Sequence, residues 1–186
     1  MNSNKLYALI LARAESKGIK NKNLKEISGK SLLEFSIISS KQSQNISKVF
    51  VSSDSKKYLN IASRLGAIPI LRPKNLANDL SSSEDAVLHF LKKIKLDNIR
   101  KPDSIILVQC TSPFTSSKDI DNAFSKFQSQ KLDSLFSGTD FHGFIWDAKE
   151  IKGINHKETK LRQRRQVLPK QILENGSFYI FKQIYF

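Results

Sequence analysis

The residues best suited to chemistry in this chain lie in a basic loop near its amino terminus. In order, they are Arg13, Lys17, Gly18, Lys22 and Asn23. The loop directly follows an apolar run at residues 6–12. Cations and backbone N–H groups in a loop after a buried strand are a common way for α/β proteins to hold phosphate. The spacing therefore predicts a nucleotide-binding loop.

Two further polar loops follow strand-like segments later in the chain. Residues 52–54, Ser-Ser-Asp, follow the short apolar segment 48–51, and residues 109–113 follow the apolar run 103–108. In open parallel sheets, ligands sit beyond the carboxyl ends of the strands. We therefore expect the three loops to converge at one mouth.

Strand-like and helix-like segments alternate along the chain, which favours a three-layer α/β fold with a mainly parallel sheet and helices on both faces. Strands are predicted at residues 5–12, 48–51, 67–71, 103–108, 132–137 and 177–181. Helices are predicted from Ser31 to Gln42, from a cap at Asp54 to a stop at Gly66, after Ser82 or Ser83, and after Ser116 or Ser117. Helical spacing predicts that the third helix buries Val87, Leu88, Leu91 and Ile94.

Residues 139–170 interrupt this alternation. They carry Phe141, Phe144 and Trp146, followed by a polar, basic stretch. We interpret them as an inserted arm of a single domain spanning residues 1–186, with the aromatic side chains at an interface or in a local core.

Composition narrows the class of protein. A chain of 186 residues suits one domain, and a single cysteine, Cys110, excludes an intrachain disulfide framework and favours a reducing compartment. The amino-terminal apolar run is shorter than a signal-peptide core and far shorter than a membrane span. The sequence therefore predicts a cytoplasmic protein without a membrane partner.

The net charge of +14 favours anionic partners. A nucleic-acid-binding protein is one alternative on this ground. The sequence shows neither a basic recognition helix nor aromatic residues interleaved with basic ones along a strand, so nucleic acid is not expected as the partner. Phosphate-rich small molecules fit the basic loops better.

A series of short strings resembles the acylneuraminate cytidylyltransferases, also called CMP-sialic acid synthetases. The strings are residues 11–18 with 22–23, residues 51–54, residues 72–73 with 76–77, residues 79–83, Gln109 with residues 111–113, and residues 164–166 with 174–179. Each string is weak alone, but together, in register over nearly the whole chain, they identify it as similar to this family.

The resemblance implies a Rossmann-like nucleotidyltransferase fold and a specific reaction. CTP and a nonulosonic acid, a nine-carbon α-keto sugar acid such as sialic acid, would give the CMP-sugar and pyrophosphate by attack of the anomeric hydroxyl on the α-phosphorus. Mg²⁺ is the expected cofactor, because it would spread the phosphate charge. The resemblance also implies a homodimer formed with the help of the arm at residues 139–170.

The resemblance further implies roles on the phosphate side. Arg13 and Lys17 would contact the triphosphate as catalytic residues. Lys22 and Asn23 would hold the phosphates or the shape of the loop. Gly18 would let the backbone turn close to the nucleotide.

On the other side of the nucleotide, Arg72 and Ser81 fall at family positions that contact the base and ribose. Gln109 and Arg165 would face the sugar acid, with Gln166 in the same substrate-binding segment. Arg165 is the third expected catalytic residue, because a guanidinium fork matches a carboxylate or phosphate.

The chain departs from the family pattern in its metal ligands. The family's Asp-x-Asp, which supplies the Mg²⁺ ligands, would follow the last substrate strand, and this sequence ends at Phe186 before it. The three histidines lie in no cluster with metal-ligand spacing, so the sequence assigns no ligands. This leaves a relative that binds CTP and sugar without turnover as an alternative. A CMP-3-deoxy-manno-octulosonate synthetase is another, although its opening loop lacks the Ser-Lys-Gly and Lys-Asn pairing.

Overall fold

The computed structural model describes residues 5–14, 18–157 and 164–186. The chain divides into two compact units, Met1–Phe136 with Gly176–Phe186, and Ser137–Asn175. In the described residues, no helix has both the length and the apolar character needed to cross a bilayer.

The secondary structure follows the predicted alternation of strands and helices. The strands are β1 (Leu6–Leu11), β2 (Glu26–Ile27), β3 (Lys30–Ser31), β4 (Ile46–Ser53), β5 (Ile68–Leu71), β6 (Ser104–Val108), β7 (Ser134–Phe141), β8 (Trp146–Asp147), β9 (Lys152–Gly153) and β10 (Gln171–Lys182). The helices are α1 (Leu32–Gln42), α2 (Lys56–Arg64), α3 (Ser83–Leu96) and α4 (Ser117–Ser129).

The main sheet has the strand order β5-β4-β1-β6-β10-β7. Strands β5, β4, β1 and β6 are mutually parallel along this order, and β10 runs antiparallel to β6. This confirms the prediction of a mainly parallel sheet. The carboxyl ends of the four parallel strands therefore lie along one edge of the sheet.

The central strand β1 is buried on both faces, as expected for a parallel sheet covered by helices. Leu6, Ala8 and Ile10 belong to one core cluster, which also contains side chains of α1, α2 and α4. Tyr7 and Leu9 belong to a second cluster, which contains side chains of α3. Because successive residues of a strand point to opposite faces, the two clusters give the three-layer arrangement.

Three of the four helices begin with a capping box. The N-caps are Ser31, Ser82 and Ser116. The side chain of each cap accepts a hydrogen bond from the backbone N–H of the residue three positions later. The acidic side chain of that later residue in turn accepts a hydrogen bond from the backbone N–H of the cap. Of the serines predicted as alternatives, Ser82 and Ser116 are therefore the caps.

The prediction that Asp54 caps α2 is wrong. The N-cap of α2 is Ser55, which makes no side-chain capping hydrogen bond. The carboxylate of Asp54 instead accepts a hydrogen bond from the backbone N–H of Ala14, at 2.9 Å. The predicted stop is confirmed, since Gly66 follows the C-cap of α2 with a φ of +74°.

The prediction that Leu88 is buried on α3 is also wrong, because Leu88 is 48% exposed. Phe90 takes its place in the core, with Val87, Leu91 and Ile94. On a helix, positions i, i+3, i+4 and i+7 share one face, and residues 87, 90, 91 and 94 have this spacing. Leu88 lies one position beyond Val87 and turns toward solvent.

The second unit, Ser137–Asn175, contains the antiparallel pair β8–β9 and a small aromatic cluster. The ring of His156 packs edge-on against Phe144 and against Trp146, with centroid separations of 4.7 Å in both cases. The side-chain amide of Asn155 donates a hydrogen bond to the carbonyl of Gly143 at 2.8 Å. The predicted arm at residues 139–170 falls in this unit, and its role in a dimer stays a prediction.

Candidate active site

A cavity of about 270 Å³ opens where the chain leaves the carboxyl ends of β1, β5 and β6. Its walls come from the loops that follow these strands, together with the start of α3. Six of the ten residues expected to form the site line it, namely Arg13, Lys22, Asn23, Arg72, Ser81 and Gln109. The fold thus brings together residues that are up to about half the chain apart in sequence. Of the three loops predicted to converge, those at residues 13–23 and 109–113 contribute to the cavity wall, whereas residues 52–54 do not line it and the loop after β5 contributes instead.

The loop after β1 is held at both its ends. The N–H of Ala12 donates to the carbonyl of Ser52 at 3.0 Å, and the N–H of Ala14 donates to Asp54. The side-chain amide of Asn23, which is only 5% exposed, donates to the carbonyl of Arg13 at 3.2 Å. Asn23 therefore fixes the shape of the loop around Arg13.

Arg13 faces a carboxylate across the cavity. Its Nη1 lies 2.8 Å from Oδ1 of Asp79, and both side chains are partly exposed to solvent. Asp79 was not among the residues predicted to form the site, although it lies in a string that carries the family resemblance. Asp79 is the only acidic residue of the loop at residues 72–82, but the sequence does not indicate which cation it faces.

The loop that carries Asp79 is organised by its own side chains. Ser81 Oγ donates to the carbonyl of Asn75 at 2.9 Å, and Asn78 Oδ1 accepts from the N–H of Ser81, also at 2.9 Å. The hydroxyl proton of Ser81 is thereby engaged within the loop, while its oxygen can still accept. In this structure Ser81 shapes the cavity wall.

Arg72 is the most unusual residue of the cavity. It is 5% exposed, its N–H donates to the carbonyl of Ser53 at 2.8 Å, and its buried Nε has no hydrogen-bond partner. Burial lowers the pKa of Arg72, the negative charge of Asp54 opposes this shift, and the positive charge of Arg13 adds to it. A buried guanidinium donor without a partner is costly unless a ligand completes its hydrogen bonding.

Gln109 lies between this cavity and a second one of about 390 Å³. Its backbone is fixed, since its N–H donates to the carbonyl of Ser177 at 3.0 Å and its carbonyl accepts from Ser112. The second cavity is also lined by Ser83, Glu84, Val87, Leu107, Tyr179, Phe181 and Phe186. Gln109 thus lines both a more polar cavity and a more apolar one.

Cys110 lines the first cavity, but burial raises the pKa of its thiol to about 12. A protonated, buried thiol is a poor nucleophile. Cys110 is therefore a packing residue of the cavity floor.

Four of the ten expected residues do not appear in the cavity wall. Gly18 is described and exposed, and an added Cβ there would meet no atom within 4 Å, so this structure shows no close approach at that position. Lys17 lies outside the described residues. Arg165 belongs to a short 3-10 helix, Arg165–Val167, and its side chain lies outside the description, whereas Gln166 is exposed. Both belong to the second unit.

The donor set of the cavity does not fit a resident metal ion. Within residues 5–14, 18–157 and 164–186, no group of three or more His, Cys, Asp or Glu side chains could hold one. Asp79 is the single carboxylate of the described cavity wall, and it is paired with Arg13. Mg²⁺ is often held by one or two carboxylates together with substrate phosphates, and the described residues alone provide no such cage.

Comparison with known proteins identifies relatives of this chain. A family model described as cytidylyltransferase matches residues 7–186. N-acylneuraminate cytidylyltransferase A of Danio rerio is 34% identical over 186 residues, which cover 97% of this chain and 42% of that protein. Pseudaminic acid cytidylyltransferase of Campylobacter jejuni is 29% identical over 180 residues, covering 94% of this chain and 77% of that protein.

The solved structures show the same fold. A CMP:2-keto-3-deoxy-manno-octonic acid synthetase complexed with CTP superposes with a TM-score of 0.70 at 14% identity, covering 96% of this chain and 74% of that chain. This confirms a Rossmann-like nucleotidyltransferase fold. The chain spans between 28% and 42% of the length of four of the curated relatives that it matches.

Proposed function

Because the chain belongs to the cytidylyltransferase family, we propose that it transfers CMP from CTP to the anomeric hydroxyl of a sialic-acid-like nonulosonic acid. The products are the CMP-sugar and pyrophosphate. The observation that carries the proposal is the buried, unpartnered Nε of Arg72 in the wall of a cavity that also contains Arg13 and Lys22. Three cations at one cavity favour a polyanionic ligand.

In the proposed complex the triphosphate lies toward Arg13 and Lys22. Arg13 then exchanges the carboxylate of Asp79 for phosphate oxygens, which a guanidinium can contact through two parallel hydrogen bonds. Arg72 lies deeper, where its free Nε is suited to a polar atom of the nucleoside. Lys17 is proposed as a further triphosphate contact from the resemblance.

The proposed reaction is a displacement at the α-phosphorus. The anomeric oxygen of the sugar forms the new bond to phosphorus, the bond from that phosphorus to the bridging oxygen of the β-phosphate breaks, and the hydroxyl proton passes to solvent water. Negative charge develops on the departing pyrophosphate. Arg13 and Lys22 stabilise this charge because they are already in place before the reaction.

The sugar acid is proposed to lie on the side of Gln109 that faces the second cavity. Its amide can both donate to and accept from a sugar, and the apolar wall of Leu107, Tyr179 and Phe181 suits the less polar parts of such a ligand. From the resemblance, Arg165 and Gln166 are proposed as residues that bind the sugar acid. The relatives' names include both N-acylneuraminate and pseudaminic acid, so both sugars belong in the test.

Other parts of the proposal rest on the resemblance and the composition. Mg²⁺ as the cofactor and a homodimer are proposed as family properties. A cytoplasmic location is proposed from the single cysteine, and nucleic acid is not proposed as a partner.

A second candidate function is binding of CTP and sugar without turnover. The absence of a metal-holding cluster in the described part of the chain favours it. In that case the cavity binds the nucleotide as proposed, but no pyrophosphate is released.

The test is pyrophosphate release by the purified 186-residue chain with CTP, Mg²⁺ and either N-acetylneuraminate or pseudaminic acid. The proposal expects release that requires both CTP and a sugar acid. Binding of CTP without release under any of these conditions would establish the second candidate. Release that is unchanged when the sugar is left out would contradict both.

A further inference from the structure

The carboxyl end of β4 links both arginines of the cavity. Strand β4 lies between β1 and β5 in the sheet. The carbonyl of Ser52 accepts from Ala12 on one side, and the carbonyl of Ser53 accepts from Arg72 on the other, at 3.0 and 2.8 Å. Asp54 is the next residue, so its carboxylate stands where the two flanking loops begin.

The side chain of Asp54 continues this pattern beyond the strand. Its Oδ1 accepts from the N–H of Ala14 at 2.9 Å, which holds the backbone directly after Arg13. The carbonyl of Arg13 is held by Asn23. The carbonyl of Arg13 and the N–H of Ala14 belong to the same peptide group, which is therefore fixed at both ends, by Asn23 at its carbonyl and by Asp54 at its N–H.

The negative charge of Asp54 has a second effect. Arg72 and Arg13 repel each other, and the carboxylate of Asp54 favours the charged form of Arg72 despite its burial. An aspartate thus suits this position for two reasons, because it is a short acceptor for the N–H of Ala14 and because its charge favours the charged form of Arg72 beside Arg13.

We propose that Asp54 is a positioning residue of the nucleotide site, which holds the Arg13 loop in its phosphate-binding conformation through the hydrogen bond to the N–H of Ala14. This inference rests on the proposed function. Asp54 touches no substrate in this account. Its effect should therefore appear in the contribution of the phosphates to binding rather than in binding of the nucleoside.

The experiment compares three variants of the full chain by calorimetric titration with CTP and with CMP. Asp54→Asn keeps an oxygen acceptor of the same length but removes the charge. Asp54→Glu keeps the charge but displaces the acceptor, and Asp54→Ala removes both. The quantity compared is the ratio of CTP affinity to CMP affinity.

We expect the ratio to fall by about tenfold in Asp54→Glu and Asp54→Ala, which is the loss typical of one hydrogen bond to a charged group. In Asp54→Asn, which keeps a neutral oxygen acceptor for the N–H of Ala14, the ratio should fall by less than about threefold. If Asp54→Ala does not fold, the other two variants still decide the question. A ratio within twofold of the wild type in Asp54→Glu, or an equal fall in Asp54→Asn, would overturn the inference.

A matched control variant distinguishes an effect on the position of the Arg13 loop from a general loss of stability. Asp119 also accepts a backbone hydrogen bond, from Ser116 at 3.0 Å, but it is the acidic partner in the capping box of α4 and does not line the cavity. Asp119→Ala should lower the thermal unfolding temperature and leave the ratio unchanged. If the wild type itself does not bind CTP, the proposed function fails; if it binds and the ratio ignores Asp54, only this inference fails.

Discussion

Arg13 and Arg72 line the same cavity but are held by different contacts, so their replacement should affect ligand binding and stability differently. Arg13 is partly exposed and paired with Asp79, so its charge is satisfied before any ligand arrives. Arg72 is buried, and its Nε has no partner. Arg13 is therefore expected to contribute to CTP binding with little effect on the stability of the fold. Arg72 is also expected to bind the nucleotide, but the desolvation of its buried charge opposes folding.

Replacing Arg13 tests the phosphate side of the cavity. In Arg13→Ala we expect CTP affinity to fall by at least about 30-fold, because a desolvated charge pair with phosphate is lost. The unfolding transition should stay close to that of the wild type, since the Arg13–Asp79 pair is solvent-exposed. Calorimetry and circular dichroism measure the two effects.

Lys25 provides the control for Arg13. It belongs to the same basic loop but is exposed and does not line the cavity. Lys25→Ala should leave CTP affinity within about twofold of the wild type. An equal loss of affinity in both variants would mean that net charge, and not the cavity, attracts the nucleotide.

Replacing Arg72 by methionine tests the deeper position. Methionine keeps a long side chain but removes a buried charge whose desolvation opposes folding. We expect CTP binding to be lost while the free energy of unfolding falls by less than about 1 kcal/mol. A loss of more than 2 kcal/mol in denaturant titrations would show instead that Arg72 is mainly a structural residue.

The buried thiol of Cys110 makes a further prediction at this scale. Because burial raises its pKa to about 12, the thiol stays protonated at pH 8 and is shielded from reagents. Native protein should resist alkylation by iodoacetamide, and unfolded protein should react at the rate of a free cysteine. Rapid alkylation of the native protein would contradict the described packing.

At the scale of the elements, the sequence predicted the start of each helix that begins with a capping box. Ser-x-x-Glu and Ser-x-x-Asp are local signals, because the cap and its partner lie within one turn. The misassignment of Asp54 has the opposite cause. An aspartate after a strand and before a helix fits a cap locally, but its carboxylate is engaged by Ala14, which is 40 residues away.

The capping box of α1 should make a measurable contribution to stability. The N–H of Ser31 donates to Glu34 at 2.7 Å, and the N–H of Glu34 donates to Ser31 Oγ at 3.3 Å. Ser31→Ala should lower the free energy of unfolding by about 1 kcal/mol. Ser55→Ala is the control, because Ser55 caps α2 without a side-chain hydrogen bond and should cost less than about 0.5 kcal/mol.

The capping box of α1 also predicts that the stability of the protein depends on pH. Hydrogen bonds from the backbone and side chain of Ser31 lower the pKa of Glu34. A carboxylate whose pKa is lower in the folded state stabilises the fold above its unfolded pKa, and this contribution is lost as pH falls through the folded value. The stability difference between wild type and Ser31→Ala should therefore shrink between pH 7 and pH 3. A difference that grows toward acid would contradict the hydrogen-bond pattern.

At the scale of the whole molecule, the sequence predicted the position of the cavity at the carboxyl ends of the parallel strands. It did not predict the contacts between the loops around the cavity. Arg13, Arg72 and Gln109 converge because each lies just after a parallel strand, and the carboxyl ends of these strands lie at one edge of the sheet. Asp79 could not be anticipated as the partner of Arg13, because that contact depends on how two long loops fold over the same strand ends. Arg165 and Gln166 belong to the second unit, so their roles rest on the resemblance.

The net charge of the whole molecule and the cavity predict different binding behaviour, toward polyanions in general and toward a particular nucleotide. A net charge of +14 attracts any polyanion, and binding that rests on it weakens steeply with salt and ignores the base. A cavity with fixed donors at its depth discriminates among nucleotides, because a wrong base leaves those donors unpaired. Selectivity among nucleotides at moderate salt therefore distinguishes a cytidylyltransferase from a basic protein that binds any polyanion.

The most direct test of the account is a calorimetric titration of the 186-residue chain with CTP, UTP, ATP and a short DNA duplex at about physiological ionic strength, where long-range charge effects are largely screened. The account predicts saturable binding of one CTP per chain, stronger than that of UTP or ATP, and lost in Arg13→Ala and Arg72→Met. Equal binding of all three nucleotides, or of DNA in preference to CTP, would contradict it.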